Sequence, residues 1–334
     1  MNPAPGHRWW AGLPPAAGAA VMAAGIISVG LHLTGHPVAS LVALAVAGAL
    51  WLVLAADFAV RLLGDRGRFR AEADTPAALT AVAATAVLGA RLSLLGWRPA
   101  AAVLLVLAAV LWPGLMAAVL RHWHRGASGA AFLVCVATQG LAVLAAVVAA
   151  DSGRDWLAWA ALAAFCLGLL LYGEALVRFD FREVVRGAGD QWVAGGALAI
   201  CSLAASKLTA SPVWVGWPHT ALRTATLVTL ALSLTWYAVL LTAEATHPRP
   251  RYDIRRWATV FPLGMTAAAS LSAAGPTGVG WLLPLGEVLL WIALAAWLLT
   301  FVALLGTHGA GRGRVGVRAR RHACLRRRLK RRRG

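Results

Sequence analysis

Arg256-Trp257-Ala258-Thr259-Val260-Phe261-Pro262-Leu263-Gly264-Met265-Thr266-Ala267-Ala268-Ala269-Ser270 is the stretch that decides how the chain is read. It opens on a basic-aromatic edge and continues as the start of a membrane-length apolar segment. A single ring and a single proline stand among small side chains. Pro262 brings no amide hydrogen to the carbonyl of residue 258, which bends a helix where the ring must project. Gly264 and Ala267 lower the wall beyond it. A bulky ring on a narrow helix can plug a space that small neighbours leave open, and in a dry constriction it stops an ion whose shed hydration shell is not replaced. On these residues alone, ordinary packing of a phenylalanine in a buried helix is the favoured reading of Phe261; a gate at Phe261, supported by Pro262 and Gly264, is the other. With Arg256 at the interface, the ring lies about 7–8 Å deep.

The rest of the chain supplies the setting. Of 334 residues, 60% are apolar and 13% charged, with a mean hydropathy of +0.71. That composition excludes a soluble globular domain. A span needs about 20 apolar residues, and ten such stretches follow one another at 15–34, 39–60, 76–95, 99–120, 129–150, 156–177, 192–211, 219–243, 257–275 and 281–302. The fold expected is an all-α membrane protein whose residues 1–305 form one ten-helix transmembrane domain, the first span being retained rather than cleaved. Residues 306–334 form a basic tail expected to be disordered.

Ten spans place both ends of the chain on one side. Loops on that side carry fourteen Lys and Arg before the tail, against five on or near the other side, and the tail adds twelve. The positive-inside bias puts both termini in the cytoplasm and the protein in the cell's inner membrane. The formal charge of +18 resides largely in those loops and the tail, so anionic lipid is the nearer polyanion and nucleic acid the more remote one. Trp97, Trp156, Trp217 and Trp281 sit at span ends, as amphipathic indoles do; Trp51, Trp112, Trp236, Trp291 and Trp297 read as helix-surface filling.

Small residues are unevenly distributed. Ala, Gly, Ser and Thr make up 57 of 101 residues in the odd spans but 43 of 113 in the even ones. Small side chains suit crowded, protein-facing helices, so the odd spans are expected to form an inner ring and the even spans an outer one.

Several motifs then fall into place. Trp257, Phe261, Pro262, Leu263 and Gly264 resemble the ninth helix of the TehA-like family, which comprises tellurite resistance and C4-dicarboxylate transporters together with the plant slow anion channels. Leu13-Pro14-Pro15 leading into Gly18, Met22, Gly25 and Gly30 is similar to that family's first span. Thr138-Gln139-Gly140-Leu141-Ala142-Val143-Leu144 is similar to its fifth, and Asp190 to Ile200 to its seventh. The resemblance implies five helical hairpins around a central pore, a homotrimer with one pore per protomer, and a phenylalanine that occludes an anion path; the reading of Phe261 as a gate rests on it. It also implies small inorganic or dicarboxylate anions as substrates, without deciding between a channel and a coupled permease.

The pore wall is expected to draw on Gly25, Gly89, Gly140, Gly195 and Gly196, with Ser28, Thr85, Thr138, Ser202, Thr266 and Ser270 supplying hydroxyls; for any single one of them, helix-helix packing is the favoured role. Lys207 and Arg91, near the outer ends of odd spans, are candidates for concentrating anions at the mouth; snorkelling to the headgroups is the other reading. Glu174, Glu244 and Glu287 lie on even spans and are read as pairing or capping groups, and Asp57 as the partner of Arg61. Cys135, Cys166, Cys201 and Cys324 show no metal-ligand spacing, and His122 and His124 have no carboxylate or thiol companions. No cofactor is implied. A membrane-embedded enzyme acting on lipid or isoprenoid substrates would need clustered Asp, His or Ser side chains, which the spans lack. A resistance protein that binds an oxyanion without conducting it remains an alternative.

Overall fold

The computed structural model describes residues 17–64, 67, 72–123, 126–248 and 253–305. Arg8, Trp9, Trp10, Leu13 to Pro15, Arg66, Arg68, Arg70, His124, Arg125, Arg249, Arg251 and the basic tail with Cys324 lie outside the described residues. Apolar runs of this length satisfy their backbone hydrogen bonds only within helices. Apart from one-turn segments, the helices are α1 (Gly18–Leu33), α2 (Pro37–Gly64), α3 (Thr80–Leu94), α4 (Arg98–Arg121) and α5 (Leu133–Ser152). They continue with α6 (Asp155–Arg178), α7 (Val193–Thr209), α8 (Trp217–Thr246), α9 (Trp257–Thr277) and α10 (Leu282–Leu305). Among the described residues nine are long and apolar enough to cross a membrane; α1, at 16 residues, is shorter and equally apolar. A 3-10 turn leads into each of α3, α5, α7 and α9. Counting those turns, the expected spans agree with the helices to within four residues at each end.

The helices pair as five hairpins with links of two to seven residues. Each link contains one glycine at positive φ: Gly35, Gly96, Gly153, Gly216 and Gly278, between +65° and +81°. Gly153 and Gly278 are left-handed residues that stop α5 and α9, whereas Gly216 precedes the first residue of α8; glycine takes positive φ without a Cβ penalty.

The odd helices close a ring, α1 against α3, α3 against α5, α5 against α7, α7 against α9, and α9 back against α1. Each of α2, α4, α6 and α8 covers its hairpin partner and the next odd helix. The last, α10, bridges α9 and α1: a Cβ on Gly286 would stand 2.6 Å from Leu271, and one on Gly30 2.5 Å from Leu290. Burial follows the same division. In the most apolar window of each span, 67–94% of the residues of α3, α5, α7 and α9 are buried, against 17–33% for the even helices. The inner and outer rings expected from small-residue content are those observed.

Two hydrogen bonds between the rings repeat in register. Trp51, fourteen residues into α2, donates its indole N–H to Thr85, five residues into α3, at 2.9 Å. Trp112, fourteen residues into α4, donates to Thr138, five residues into α5, also at 2.9 Å. These indoles are therefore tied to the inner ring rather than filling helix surface, each bond contributing about 1 kcal/mol. On the face where the odd helices begin, hereafter the basic face, Asp57 pairs with Arg61 at 2.6 Å and Glu244 with Arg256 at 2.6 Å. Glu72 also pairs with Arg61, and Glu174 with Arg178. Glu287 is exposed on α10.

Candidate functional site

A cavity of about 40 Å³ occupies the centre of the inner ring. All five odd helices contribute to its wall, through Val29, Ala90, Val143, Leu203 and Met265 among others. Among the described residues, only two polar side chains line it, Lys207 and Ser272. At roughly one water per 10–15 Å³ of such volume, it has room for a few waters or one small ion.

On α9 the lining residues are Met265 and Ser272. Phe261 precedes Ser272 by eleven residues, three helical turns to within about 20°, and Met265 by four. It therefore lies on the cavity-facing stripe, about 6 Å beyond Met265 towards the basic face. Its side chain is fully buried, and it is not part of the cavity wall. The cavity thus extends from Met265 towards Ser272, away from Phe261. The helix runs unbroken through Pro262, whose ring meets α7: a Cβ on Gly196 would stand 2.7 Å from Pro262 Cγ.

That contact revises the expected wall. Of the five glycines expected in a pore wall, only Gly140 borders this cavity, and even there an added Cβ would lie 3.2 Å from Ala86. The other four, and Gly264, mark seams between helices. Hypothetical Cβ atoms place Gly25 against Val87 at 2.7 Å, Gly89 against Leu144 at 2.8 Å and Gly264 against Ile26 at 2.8 Å. Gly195 faces the outer ring, 3.1 Å from Trp236. Backbones approach closely at glycine, so a crowded seam uses it, whereas the space at the axis is bounded by Ile, Val, Leu and Ala. The hydroxyls follow the same rule. Thr85 and Thr138 accept outer-ring indoles, Ser202 donates to the Thr226 carbonyl at 2.9 Å, and Thr266 and Ser270 bond back to their own helix.

Lys207 and Arg91 take different positions. Lys207, half-buried, lines the cavity at its far end, and among the described residues no carboxylate pairs with it. Arg91 is not at the mouth. It is 1% exposed, in the seam between α1, α2 and α3. There Ser28 and Ser40 donate reciprocally to each other's carbonyls at 2.7 Å, and Arg91 donates to both hydroxyls, from Nε to Ser28 at 3.0 Å and from Nη2 to Ser40 at 2.8 Å. The guanidinium thus clasps the first hairpin to α3. Local spacing carries no signal for this, since the partners come from three helices. Cys135 and Cys201 are free thiols whose sulfurs lie 3.7 Å apart between α5 and α7. Among the described residues no group of three His, Cys, Asp or Glu is placed to hold a metal ion.

The arrangement is a polytopic helical ring around an apolar axial cavity with Lys207 at its far end. Sequence comparison agrees with that architecture. The chain is 32% identical over 136 residues to the uncharacterized membrane protein MT1776 of Mycobacterium tuberculosis (strain CDC 1551 / Oshkosh), covering 37% of this chain and 67% of that one. The same figures hold for the uncharacterized membrane protein Rv1735c of strain H37Rv. Residues 12–305 match the family described as SLAC1, voltage-dependent anion channel, and with that match extending over most of its length, the chain belongs to that family.

Proposed function

We propose that the protein passes small anions along the axis of the odd helices, with Phe261 as the occluding group and Lys207 drawing anions to the far mouth. The observation that carries this reading is the cavity itself. All five odd helices build it, among the described residues the one ionisable group on its wall is a cation, and Phe261 falls by helical periodicity on the stripe of α9 that faces it. Membership of an anion channel family supplies the class of substrate.

A single lysine and a cavity of about 40 Å³ suit a monoanion such as chloride or nitrate better than a C4-dicarboxylate, whose second carboxylate would meet only apolar wall. No carboxylate lines the cavity among the described residues, so movement down a gradient is favoured over proton-coupled transport. The basic face is assigned to the cytoplasm by the positive-inside bias, with each protomer of a trimer holding its own pore in the cell's inner membrane. The tail tethers that face to anionic lipid.

The test is flux into liposomes containing the purified protein, driven by matched gradients of chloride, nitrate, tellurite and malate. Chloride or nitrate flux well above empty liposomes, with malate slower, is the expected result. No flux of any of the four would overturn the reading in favour of a non-conducting role.

A further inference from the structure

A second and larger cavity lies outside the axis, on the basic-face half of the molecule. It has a volume of about 370 Å³ and is bounded by α1, α2, α3 and α4. Its back wall is the outer side of the inner ring, Val21 of α1 with Ala81 and Ala84 of α3. Ala77, Ala81 and Ala84 fall on one face of the polypeptide leading into and along α3, and they leave space that α2 and α4 do not fill. Leu62 and Leu107 belong to its lining and are 42% and 36% exposed. The cavity therefore opens sideways between two outer helices whose surfaces are otherwise apolar and exposed.

Three occupants could fill it. An empty void of this size forfeits dispersion contacts along its whole lining. Water would find few partners, because among the described residues the polar groups of the lining are confined to its ends. The remaining candidate is the solvent of that face, lipid hydrocarbon. The dimensions agree. Along α2 the lining runs from Trp51 to Leu62, eleven residues or about 16 Å, which is roughly half the 30 Å hydrocarbon core, or one leaflet. The ends also differ. Towards the basic face the lining includes Asp57, Arg61 and Glu72, with Arg61 paired to both carboxylates. At mid-depth the bond from the Trp51 indole to Thr85 closes the cavity with an aromatic edge.

We infer that this cavity is a binding site for one acyl chain of a phospholipid from the leaflet on the basic face. The chain enters beside the Asp57–Arg61–Glu72 group and its methyl end stops at Trp51. It sits directly behind two of the five helices that form the axial cavity, so the site is a wedge between the first and second hairpins. The inference does not depend on what moves along the axis.

The experiment uses the full chain in membranes containing a phospholipid with a diazirine near the end of one acyl chain. After irradiation, adducts are mapped by peptide mass spectrometry. Labelling concentrated on residues 51–62 and 77–85 is expected, at least fivefold above that of the lipid-exposed stretch 298–302 of α10. Ala55→Trp and, separately, Leu107→Trp place an indole in the cavity or its entrance and should each lower that labelling at least fivefold, leaving α10 unchanged. Retention of oligomeric state on gel filtration shows that a variant is folded, and two variants at different helices guard against loss of one. Labelling of 51–62 and 77–85 no higher than that of α10, or undiminished in both folded variants, overturns the inference. So does efficient cross-linking between copies through Ala55→Cys, which would place a neighbouring protomer there.

Discussion

Neutralising Lys207 separates a lysine that touches the permeating anion from one that only snorkels. Its side chain lines the far end of the axial cavity, half-buried and without a paired carboxylate among the described residues. An anion about 4 Å from the ammonium gains about 4 kcal/mol at an effective dielectric of 20. Part of that is lost to shedding water, and a net 1.4 kcal/mol is a factor of ten in occupancy. A lysine acting only from about 10 Å away through water contributes about 0.4 kcal/mol, or roughly twofold. That smaller effect fades as the Debye length shrinks from about 30 Å at 0.01 M salt to about 8 Å at 0.15 M. Lys207→Gln is therefore expected to reduce chloride flux about tenfold in liposomes at low salt, with a loss of about threefold or more remaining at 0.15 M; Lys207→Arg should retain most of the flux. A change of less than about twofold at both salt concentrations, at equal incorporation, would refute the placement of an anion against this side chain.

Three further outcomes follow from the packing and a fourth from the charge of the tail. Gly196→Val should destabilise the protein by about 1–3 kcal/mol through overpacking, read as a lowered thermal midpoint, because its Cβ would lie 2.7 Å from Pro262. Gly173→Ala on α6, where no atom lies within 4 Å of the added carbon, should be neutral or slightly stabilising. Ser28→Ala removes one of the hydroxyls that hold Arg91 and should cost about 1.5–3 kcal/mol, the range for a hydrogen bond to a charged group; a thermal midpoint equal to wild type would count against the clasp. Deleting residues 311–334 should leave assembly and basal flux intact but weaken binding to acidic vesicles in a salt-sensitive way, at about 1 kcal/mol per basic residue near the surface.

The difference between the two rings was legible because it is a whole-helix property. A helix like α9, dense in Ala, Ser and Gly, is at home between neighbours, whereas α10, built on Leu and Trp, is at home in lipid. What composition could not supply is the rotation of each inner helix about its own axis. These helices are buried on nearly every side, so they carry no apolar stripe to reveal which face points to the axis. That is why Gly25, Gly89, Gly195 and Gly196 read as pore wall although they sit at seams, while Gly140 of the same five borders the axial cavity. Arg91 illustrates the same limit: its depth was legible, but Ser28 and Ser40 meet it only through the crossing of three helices. The register of Trp51 with Thr85 and of Trp112 with Thr138 was present in the sequence as an equal spacing from helix starts, and would have emerged from aligning the hairpins on one another. Phe261 was singled out by the proline and small residues around it, and its place on the stripe facing the cavity follows from helical periodicity once Met265 and Ser272 are known to line it.

The most direct measurement is anion flux through Phe261→Ala in liposomes, at equal protein incorporation and against wild type. Removing the ring opens the packed segment beyond Met265 without altering any charge, and flux should rise several-fold, with Phe261→Leu between the two. A buried Phe→Ala change also costs about 3–5 kcal/mol of stability, so retained oligomeric state on gel filtration must accompany the comparison. Equal flux in wild type and a folded Phe261→Ala protein would contradict the account, because the ring would then be packing in a helix and not the barrier on the anion's path.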